Sequence, residues 1–315
     1  MAEPLPGLEQ PRGKTLNVAL FLITIVTVFM AGAVYLPAKT LWEMAGNGLE
    51  FTAALMGILV CHEAGHYIAA RRRRIDTSLP YFIPVPPFLS VFGTFGALIL
   101  MRGRIRSRDA LVEVGAAGPL AGMAVAVPLL FIGLADCPVG PIPSEGFIEG
   151  QSLLYALAKH VVLGPIPQGY DVYIDHSPLA WAGWIGMLVT MLNLLPIGQL
   201  DGGHVFYALF GELHAGASEW FLRGLFALGA AVVIALGLDA WSMGLRDDDV
   251  VFAALPGAQW LFLGTLLLIV RWRRGFEHPP TTDGDRLSPG HAAVGVLCLL
   301  VFAVTFMPIV MRQIL

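Results

Sequence analysis

The sequence predicts an all-α polytopic membrane protein with about seven transmembrane helices and a short membrane-dipping β-hairpin between the second and third. Of its 315 residues, 56% are hydrophobic and only 13% are charged, whereas soluble domains carry about 25% charged residues. The mean hydropathy is +0.71. This composition excludes an ordinary soluble domain, and the distribution of the apolar residues indicates how many times the chain crosses the membrane.

Seven apolar runs approach the length of about 20 residues that a membrane-spanning helix needs. They cover about residues 16–36, 49–70, 110–135, 179–195, 222–238, 251–270 and 291–311. The fourth run is the least regular, because Pro196 interrupts it.

The first run has a second interpretation as a signal peptide. Arg12 and Lys14 precede it, and Ala31-Gly32-Ala33 has the small residues of a cleavage site. We expect an uncleaved helix, because the apolar run is longer than the 7–15 residues of a typical signal core.

Basic residues are concentrated on one side of this topology. With a cytosolic N-terminus, the cytosolic loops contain 14 of the 19 Lys and Arg residues, namely Arg12, Lys14, Arg71 to Arg74, Arg102, Arg104, Arg106, Arg108, Arg271, Arg273, Arg274 and Arg286. The opposite loops contain Lys39, Lys159, Arg246 and Arg312. The positive-inside rule therefore predicts a multi-pass cell-membrane protein with a cytosolic N-terminus. We interpret the basic runs as interfacial anchors and expect no nucleic-acid binding.

Two segments interrupt the helical pattern. Residues 79–101 are apolar but contain four prolines, which a helix interior does not tolerate. Non-helical backbone at membrane depth must be buried in protein or line a cavity, so we expect a hairpin here, with strands within 91–101 and with Gly93 and Gly96 as turn or close-approach points. Residues 136–178 are rich in Pro and Gly and predict a small ordered loop.

The stretch HEAGH in the second run contains the residues that indicate chemistry. His62 and His66 are four residues apart, so on a helix they lie on one face and can share a metal ion. Glu63 lies about 100° further round the helix, where it can meet a metal-bound water. This pattern on a helix is typical of zinc metalloproteases. Ionisable residues inside a membrane span are costly and usually functional.

A catalytic zinc ion generally has a third protein ligand, and residues 193–204 offer a candidate. Pro196 breaks the fourth helix, and Asp201 follows at a similar predicted depth, with Gly202 next to it. On these residues alone, Asp201 is equally well interpreted as the N-cap of a following helix.

Two motifs together resemble the paired signature of the site-2 protease family of intramembrane zinc metalloproteases: His62-Glu63-Ala64-Gly65-His66 and Asn193-x-x-Pro196-x-x-x-Leu200-Asp201-Gly202. Further stretches resemble the family's hairpin, its glycine-proline motif and its branch with chloroplast relatives, namely Gly93-Thr94-Phe95-Gly96, Gly118-Pro-Leu-Ala-Gly122 and Leu79-Pro-Tyr-Phe-Ile-Pro84. The resemblance covers about residues 49–210.

The resemblance implies one Zn²⁺ per chain, held by His62, His66 and Asp201, with Glu63 as base. Asn193 would assist the reacting oxygen, although a helix-packing amide remains the alternative. The implied reaction is hydrolysis of a peptide bond in or near the transmembrane segment of a single-span, membrane-anchored substrate. We expect this substrate to bind the hairpin at Gly93, Thr94, Phe95 and Gly96.

The resemblance also suggests a division of the chain. It consists of a tail and first helix (1–48), a catalytic core (49–215) and C-terminal helices (216–315). We expect neither a PDZ nor a CBS module, because the 136–178 segment is too short and the sequence shows no long cytosolic tail.

Two other classes of function remain open. A zinc-binding but inactive chaperone or scaffold would keep the metal ligands, but it would not need Glu63. A metal transporter needs polar residues on several spans, and the last three runs contain almost none.

The remaining histidines and cysteines have simpler interpretations. We expect His204 and His214 on the cytosolic surface or the pocket wall, and His160 and His176 in solvent. Cys61, Cys137 and Cys298 show no metal or disulfide spacing.

Overall fold

The computed structural model describes residues 14–101, 105–143, 146–276, 278, 281 and 286–314. Arg12, Arg102 and Arg104, which contribute to the predicted charge asymmetry, lie outside these residues. The described part contains nine α-helices: α1 Thr15–Tyr35, α2 Leu41–Arg72, α3 Arg108–Ala135, α4 Leu153–Leu163, α5 Pro178–Asn193, α6 Asp201–Phe210, α7 Leu213–Ser242, α8 Asp247–Arg274 and α9 Pro289–Thr305.

Every predicted apolar run coincides with one of these helices. Within the described residues, α1, α2, α3, α7 and α8 are long and apolar enough to cross a membrane. The helices α5 and α9 have 16 and 17 residues, or about 24–26 Å at 1.5 Å per residue, against a hydrocarbon core of about 30 Å. The polytopic helical class is therefore confirmed, and the number seven stays a prediction.

Short polar side chains determine where the central helices begin. Thr40, Ser107 and Ser177 precede α2, α3 and α5, and each accepts a hydrogen bond from the backbone N–H three residues later. Such N-caps satisfy donors that the first helical turn leaves unpaired. The cap at Thr40 explains why α2 begins at Leu41, earlier than the apolar run.

Helices α2, α3 and α5 form the centre of the core, and small residues let them approach closely. A Cβ atom at Gly183 of α5 would lie 2.7 Å from the backbone nitrogen of Leu130 in α3, and one at Gly133 of α3 would lie 2.2 Å from the backbone nitrogen of Ala180 in α5. Trp184 is fully buried in α5. This close packing holds α5 directly against α3.

The hairpin is present, but its pairing differs from the expectation. Strand β1 (Tyr81–Pro84) pairs antiparallel with β2 (Thr94–Leu98), so only one strand lies within 91–101. Gly93 precedes β2 and is a close-approach point, as predicted, whereas Gly96 lies within β2 and has no close neighbour at its Cβ position. The chain tolerates a proline at the end of β1 because the register shifts there.

Helix α1 holds the hairpin in place. The Asn17 side-chain amide donates hydrogen bonds to the carbonyl oxygens of Leu79 and Pro80, at 3.0 and 2.9 Å. A Cβ atom at Gly93 would lie 2.4 Å from the carbonyl oxygen of Thr27 in α1. Helix α1 is therefore part of the folded structure that supports the hairpin.

The 136–178 segment is an ordered loop, as predicted. It contains β3 (Val139–Pro141), β4 (Gly146–Glu149), α4, β5 (Tyr170–Val172) and a 3₁₀ turn at Ile174–His176. Strand β3 pairs antiparallel with β5.

A further strand, β6 (Met311–Ile314), follows α9 and pairs antiparallel with β4. Helix α9 packs against α3, α5 and α6, while α1 packs against α2. Packing thus crosses both boundaries of the proposed three-part division, at residues 48 and 215.

Candidate metal centre

Helix α2 carries three of the predicted site residues into the core. His62 and Glu63 are only 3% and 5% exposed, and the ring centroids of His62 and His66 lie 4.9 Å apart. The α-helical spacing of four residues brings the two rings to one face, as the sequence predicts.

Asp201 reaches the same point from the first turn of α6. Its Oδ2 lies 3.2 Å from His66 Nε2 and 3.5 Å from His62 Nε2. The N-cap position belongs to Leu200, and the Asp201 side chain makes no capping hydrogen bond. The carboxylate therefore faces the histidines, and the positive end of the α6 dipole favours its charge.

The chain bends sharply between α5 and α6, and glycines allow the bend. Gly198 has φ of +56°, a conformation that favours glycine. Cβ atoms at Gly202 and Gly203 would lie 2.0 and 2.3 Å from the carbonyl oxygens of Leu194 and Gly198. These close approaches fold α6 back onto the end of α5 and fix the direction of the Asp201 side chain.

The spacing of the three ligand atoms fits a zinc ion. The two Nε2 atoms are 3.1 Å apart, and the other two separations are 3.2 and 3.5 Å. A tetrahedral zinc ion with bonds of about 2.0–2.1 Å places its ligand atoms about 3.3 Å apart. Among the residues that the structure describes, this is the one group of three or more His, Cys, Asp or Glu side chains whose ligand atoms lie close enough together to share a metal ion.

The protonation of His66 also fits a metal ligand. Its Nδ1 lies 2.7 Å from the carbonyl oxygen of Val114 in α3. A carbonyl oxygen only accepts, so Nδ1 carries the proton and Nε2 presents its lone pair to the centre. The Nε2 lone pair then faces the negatively charged Asp201 carboxylate, and these two electron-rich groups repel each other. A cation bound between them removes this repulsion.

Glycines of α3 provide the space for both histidine rings. A Cβ atom at Gly118 would lie 2.0 Å from His66 Nε2, and one at Gly122 would lie 3.2 Å from His62 Nδ1. The glycine-proline motif permits close helix contact, as expected. The imidazole rings of His62 and His66 occupy part of the space that the absent side chains of Gly118 and Gly122 leave.

Asn193 and Glu63 lie beside the three ligands. The Asn193 side-chain nitrogen is 3.2 Å from His62 Nε2, the atom that faces the centre. Both residues line a cavity of ≈ 140 Å³ together with the three ligands. Its other walls include Thr77, Ala97 to Ile99 and Met101.

The structure brings the predicted hairpin residues near the centre but not into this cavity wall. Ala97 to Ile99 and Met101 line the cavity, whereas Gly93 contacts α1. The Thr94 hydroxyl donates to the Ile83 carbonyl within the hairpin, and the Phe95 side chain is 67% exposed. Substrate binding by Gly93–Gly96 stays a prediction.

The other histidines divide into two groups. His204 lines the cavity, and its Nδ1 lies 2.8 Å from Nε2 of His278. His214 is 1% exposed, so a surface position is wrong for it. His160 and His176 are exposed, as expected.

Sequence reasoning missed the roles of Val114, Gly118 and Thr77 at this site. Val114 acts through its backbone, so its side chain gives no signal. Gly118 stands in a noted motif, but its contact with His66 depends on how α2 and α3 pack.

A polytopic helical membrane protein with a largely buried His-His-Asp centre and an adjacent glutamate belongs to the class of membrane-embedded zinc metalloenzymes. The profile of peptidase family M50 matches residues 50–236. The chain belongs to this family, whose members are site-2 proteases, and its cofactor is zinc.

Several plant proteins are similar to this chain. The probable zinc metalloprotease EGY1, chloroplastic, of Arabidopsis thaliana is 33% identical over 210 residues, which cover 64% of this chain and 37% of that protein. The Arabidopsis probable zinc metalloprotease EGY2, chloroplastic, is 30% identical over 265 residues, covering 80% of this chain and 46% of that protein. The rice (Oryza sativa subsp. indica) EGY3 is 28% identical over 323 residues, covering 96% of this chain and 49% of that protein. The chain spans less than half the length of these relatives.

Proposed function

We propose that this chain is an intramembrane zinc metalloprotease that hydrolyses a peptide bond in or near a transmembrane segment of a membrane-anchored substrate. The observation that carries the proposal is the meeting of His62 and His66 from α2 with Asp201 from α6 at zinc-compatible distances. These ligands share one cavity with Glu63, which is not needed to hold a metal. Family membership supports the same reaction.

Each side chain of the site has its own role in the proposed reaction. His62, His66 and Asp201 would hold Zn²⁺, which when bound supplies a Lewis acid that polarises the scissile carbonyl and makes water more acidic. Glu63 accepts the proton of the attacking water and passes it to the leaving amine. Asn193, whose amide nitrogen lies beside the ligand atom of His62, donates a hydrogen bond to the reacting oxygen. Burial of the site strengthens these interactions by excluding bulk water.

The hairpin provides a place for the substrate. A helical substrate hides its peptide bonds, so it must unwind before cleavage. Strand β2 pairs with β1 on one side and, among the described strands, with no other strand. An unwound segment can therefore add to the other edge of β2 by backbone hydrogen bonds, and residues 97–101 then lead it along the cavity wall.

The substrate class and the orientation are also part of the proposal. We infer a single-span membrane protein as substrate, and a cell-membrane location with the active site toward the cytosol. Exposed Arg71 to Arg74 at the end of α2, about one to two turns after His66, support this orientation through the positive-inside rule. Cysteines placed at two exposed positions, Arg74 and His160, should differ in their labelling by an impermeant thiol reagent on intact cells, with the cysteine at position 160 labelled and the one at position 74 protected. The reverse pattern overturns the orientation.

The decisive experiment compares the purified wild type with Glu63→Gln on a single-span substrate in detergent, with and without a chelator. We expect the wild type to cleave, the chelator to stop cleavage, and Glu63→Gln to lose about 10²–10⁴-fold in rate with about one zinc ion still bound. If zinc-loaded wild type and variant both leave the substrate whole, the scaffold interpretation replaces the protease. Zinc uptake into proteoliposomes would instead indicate a transporter.

A further inference from the structure

The base of the hairpin contains a polar group that the proposed mechanism does not use. Thr77 lies between α2 and β1 and lines the cavity that holds the three metal ligands. Its Oγ1 is buried and has no hydrogen-bond partner among the described residues. A hydroxyl carries one donor and two acceptor lone pairs, and leaving a buried one unpaired lowers the stability of the folded state.

The neighbouring hydroxyl groups are all used within the hairpin. The Ser78 hydroxyl donates to the carbonyl of Leu79 and accepts from the N–H of Leu100. The Thr94 hydroxyl donates to Ile83 and accepts from the N–H of Gly96. Thr77 differs from them, because its hydroxyl makes no hydrogen bond to any residue that the structure describes.

Thr77 lies opposite the chain that follows β2, the strand on which the substrate is proposed to bind. It forms an isolated antiparallel bridge with Met101, beyond the Tyr81–Leu98 pair that ends the β1–β2 ladder, so its backbone lies on the β1 side of that chain. Thr77, Ala97 to Ile99 and Met101 line the same cavity, so a segment that leaves the free edge of β2 and enters the cavity reaches the wall that contains Thr77.

The chemistry of the wall indicates which part of a substrate needs this hydroxyl. Besides the polar residues of the metal centre, the cavity that Thr77 lines has apolar wall residues, which include Ala70, Ala97, Leu98, Ile99 and Met101. These side chains suit the apolar side chains of a transmembrane substrate. Unwinding such a substrate, however, frees backbone N–H and C=O groups, and each needs a partner where water is scarce.

We propose that Thr77 is a substrate-binding residue whose hydroxyl forms a hydrogen bond with a freed backbone group of the unwound substrate segment. The inference rests on the proposed protease function and adds a binding contact to it. Thr77 makes its hydrogen bond only after the substrate has unwound, so the contact favours the extended form over the helix.

The test replaces the hydroxyl while keeping the shape of the side chain. Thr77→Val and Thr77→Ser are compared with wild type in detergent for kcat and KM on a single-span substrate, zinc content and thermal unfolding. Thr265→Val is the control, because it removes a hydroxyl that donates to Leu261 on the remote helix α8. Substrate affinity is also measured for Glu63→Gln and for Glu63→Gln/Thr77→Val, where cleavage does not interfere.

We expect Thr77→Val to lower kcat/KM and substrate affinity by about 5–10-fold, and Thr77→Ser to restore both to within about threefold of wild type. Zinc content should stay unchanged. The unfolding temperature of Thr77→Val should equal or exceed that of wild type, because the cost of burying an unpaired hydroxyl is gone. A structural role predicts the opposite change in stability.

Two results separate this inference from the proposal on which it rests. A zinc-loaded wild type that cleaves no substrate overturns both. An active wild type whose Thr77→Val variant has the same kcat/KM, or loses activity only in parallel with stability and zinc, overturns the substrate contact alone.

Discussion

Replacing Gly118 by alanine should remove zinc from the centre without changing any ligand. The added Cβ would lie 2.0 Å from His66 Nε2, 2.3 Å from its Cδ2 and 2.5 Å from its Cε1. Ordinary contacts begin at 3.4 Å, so the ring or the helix must move by about 1.4 Å (3.4 minus 2.0). Zinc bonds tolerate about 0.2 Å.

The ring cannot take up this movement at no cost. His66 Nδ1 is hydrogen-bonded to Val114 in the same helix that carries Gly118, so moving the ring away from α3 also stretches this bond. Loss of a partner that orients a ligand typically lowers metal affinity by about 10–100-fold. We expect at least the upper end of this range, about 100-fold, for Gly118→Ala.

The assay is competition for zinc between the purified protein in detergent and a chromophoric chelator. Two alanine variants provide a graded comparison. Gly122→Ala places a Cβ 3.2 Å from His62 Nδ1, and we expect a loss of about 10-fold or less. Gly57→Ala, in the same helix as the histidines, meets nothing within 4 Å and should bind zinc like the wild type.

A double variant tests the cause. If the clash is with the ring, adding Gly118→Ala to His66→Ala should cost no further stability, since the ring is already gone. The reasoning is refuted if Gly118→Ala binds zinc with wild-type affinity, or if it destabilises the His66→Ala background as much as the wild type.

Two further predictions concern the support of the hairpin by α1 and the 136–178 loop. Asn17→Leu removes the amide that donates hydrogen bonds to the carbonyl groups of Leu79 and Pro80, so the free energy of unfolding should fall by about 1–3 kcal/mol. The kcat/KM should fall as well, while the zinc content stays at the wild-type level. A variant with normal unfolding and turnover contradicts the role of α1. Burial raises the pKa of Glu149 from 4.5 to about 7, although the Tyr155 hydroxyl donates to its carboxyl group. Between these two pH values the folded chain keeps a proton on Glu149 that the unfolded chain has released. The free energy of unfolding should therefore fall as pH rises from about 4.5 to about 7. Thermal unfolding from pH 4 to pH 8 should show this fall for the wild type and not for Glu149→Gln, and identical pH profiles would contradict it.

The sequence predicts the helices well because their signals are local. Apolar length alone locates both ends of α1, α3 and α8 to within four residues, whereas α7 begins nine residues before the predicted run 222–238 and ends four residues after it. The start of α2 was missed because Glu43 and Asn47 make its first turns polar, although Thr40 with Glu43 three residues later is a recognisable cap pattern.

Long-range pairing could not be obtained in the same way. The prolines of residues 79–101 excluded a helix but did not indicate where the first strand lies, and a shift in the β1–β2 register accommodates Pro84. Strand β6 was hidden because Met311 falls at the end of the seventh apolar run, whereas α9 ends at Thr305, three residues before Pro308.

The candidate site was more predictable than the fold around it. His62, Glu63 and His66 belong to one motif, whereas the residues alone left Asp201 open as a third ligand or an N-cap, and the resemblance to the site-2 protease family favoured the ligand. The contacts that orient them come from α3, 48 or more residues away, and no local pattern encodes such a contact.

The pairing of β4 with β6 has a consequence for the order in which the protein is made. The ribosome synthesises the proposed zinc ligands and Glu63 well before it reaches Met311. Throughout that interval β4 has not yet been able to pair with β6. A newly inserted chain thus contains its proposed catalytic residues before β4 can pair with β6. The fold of the loop around Glu149 becomes complete only when synthesis has passed α9.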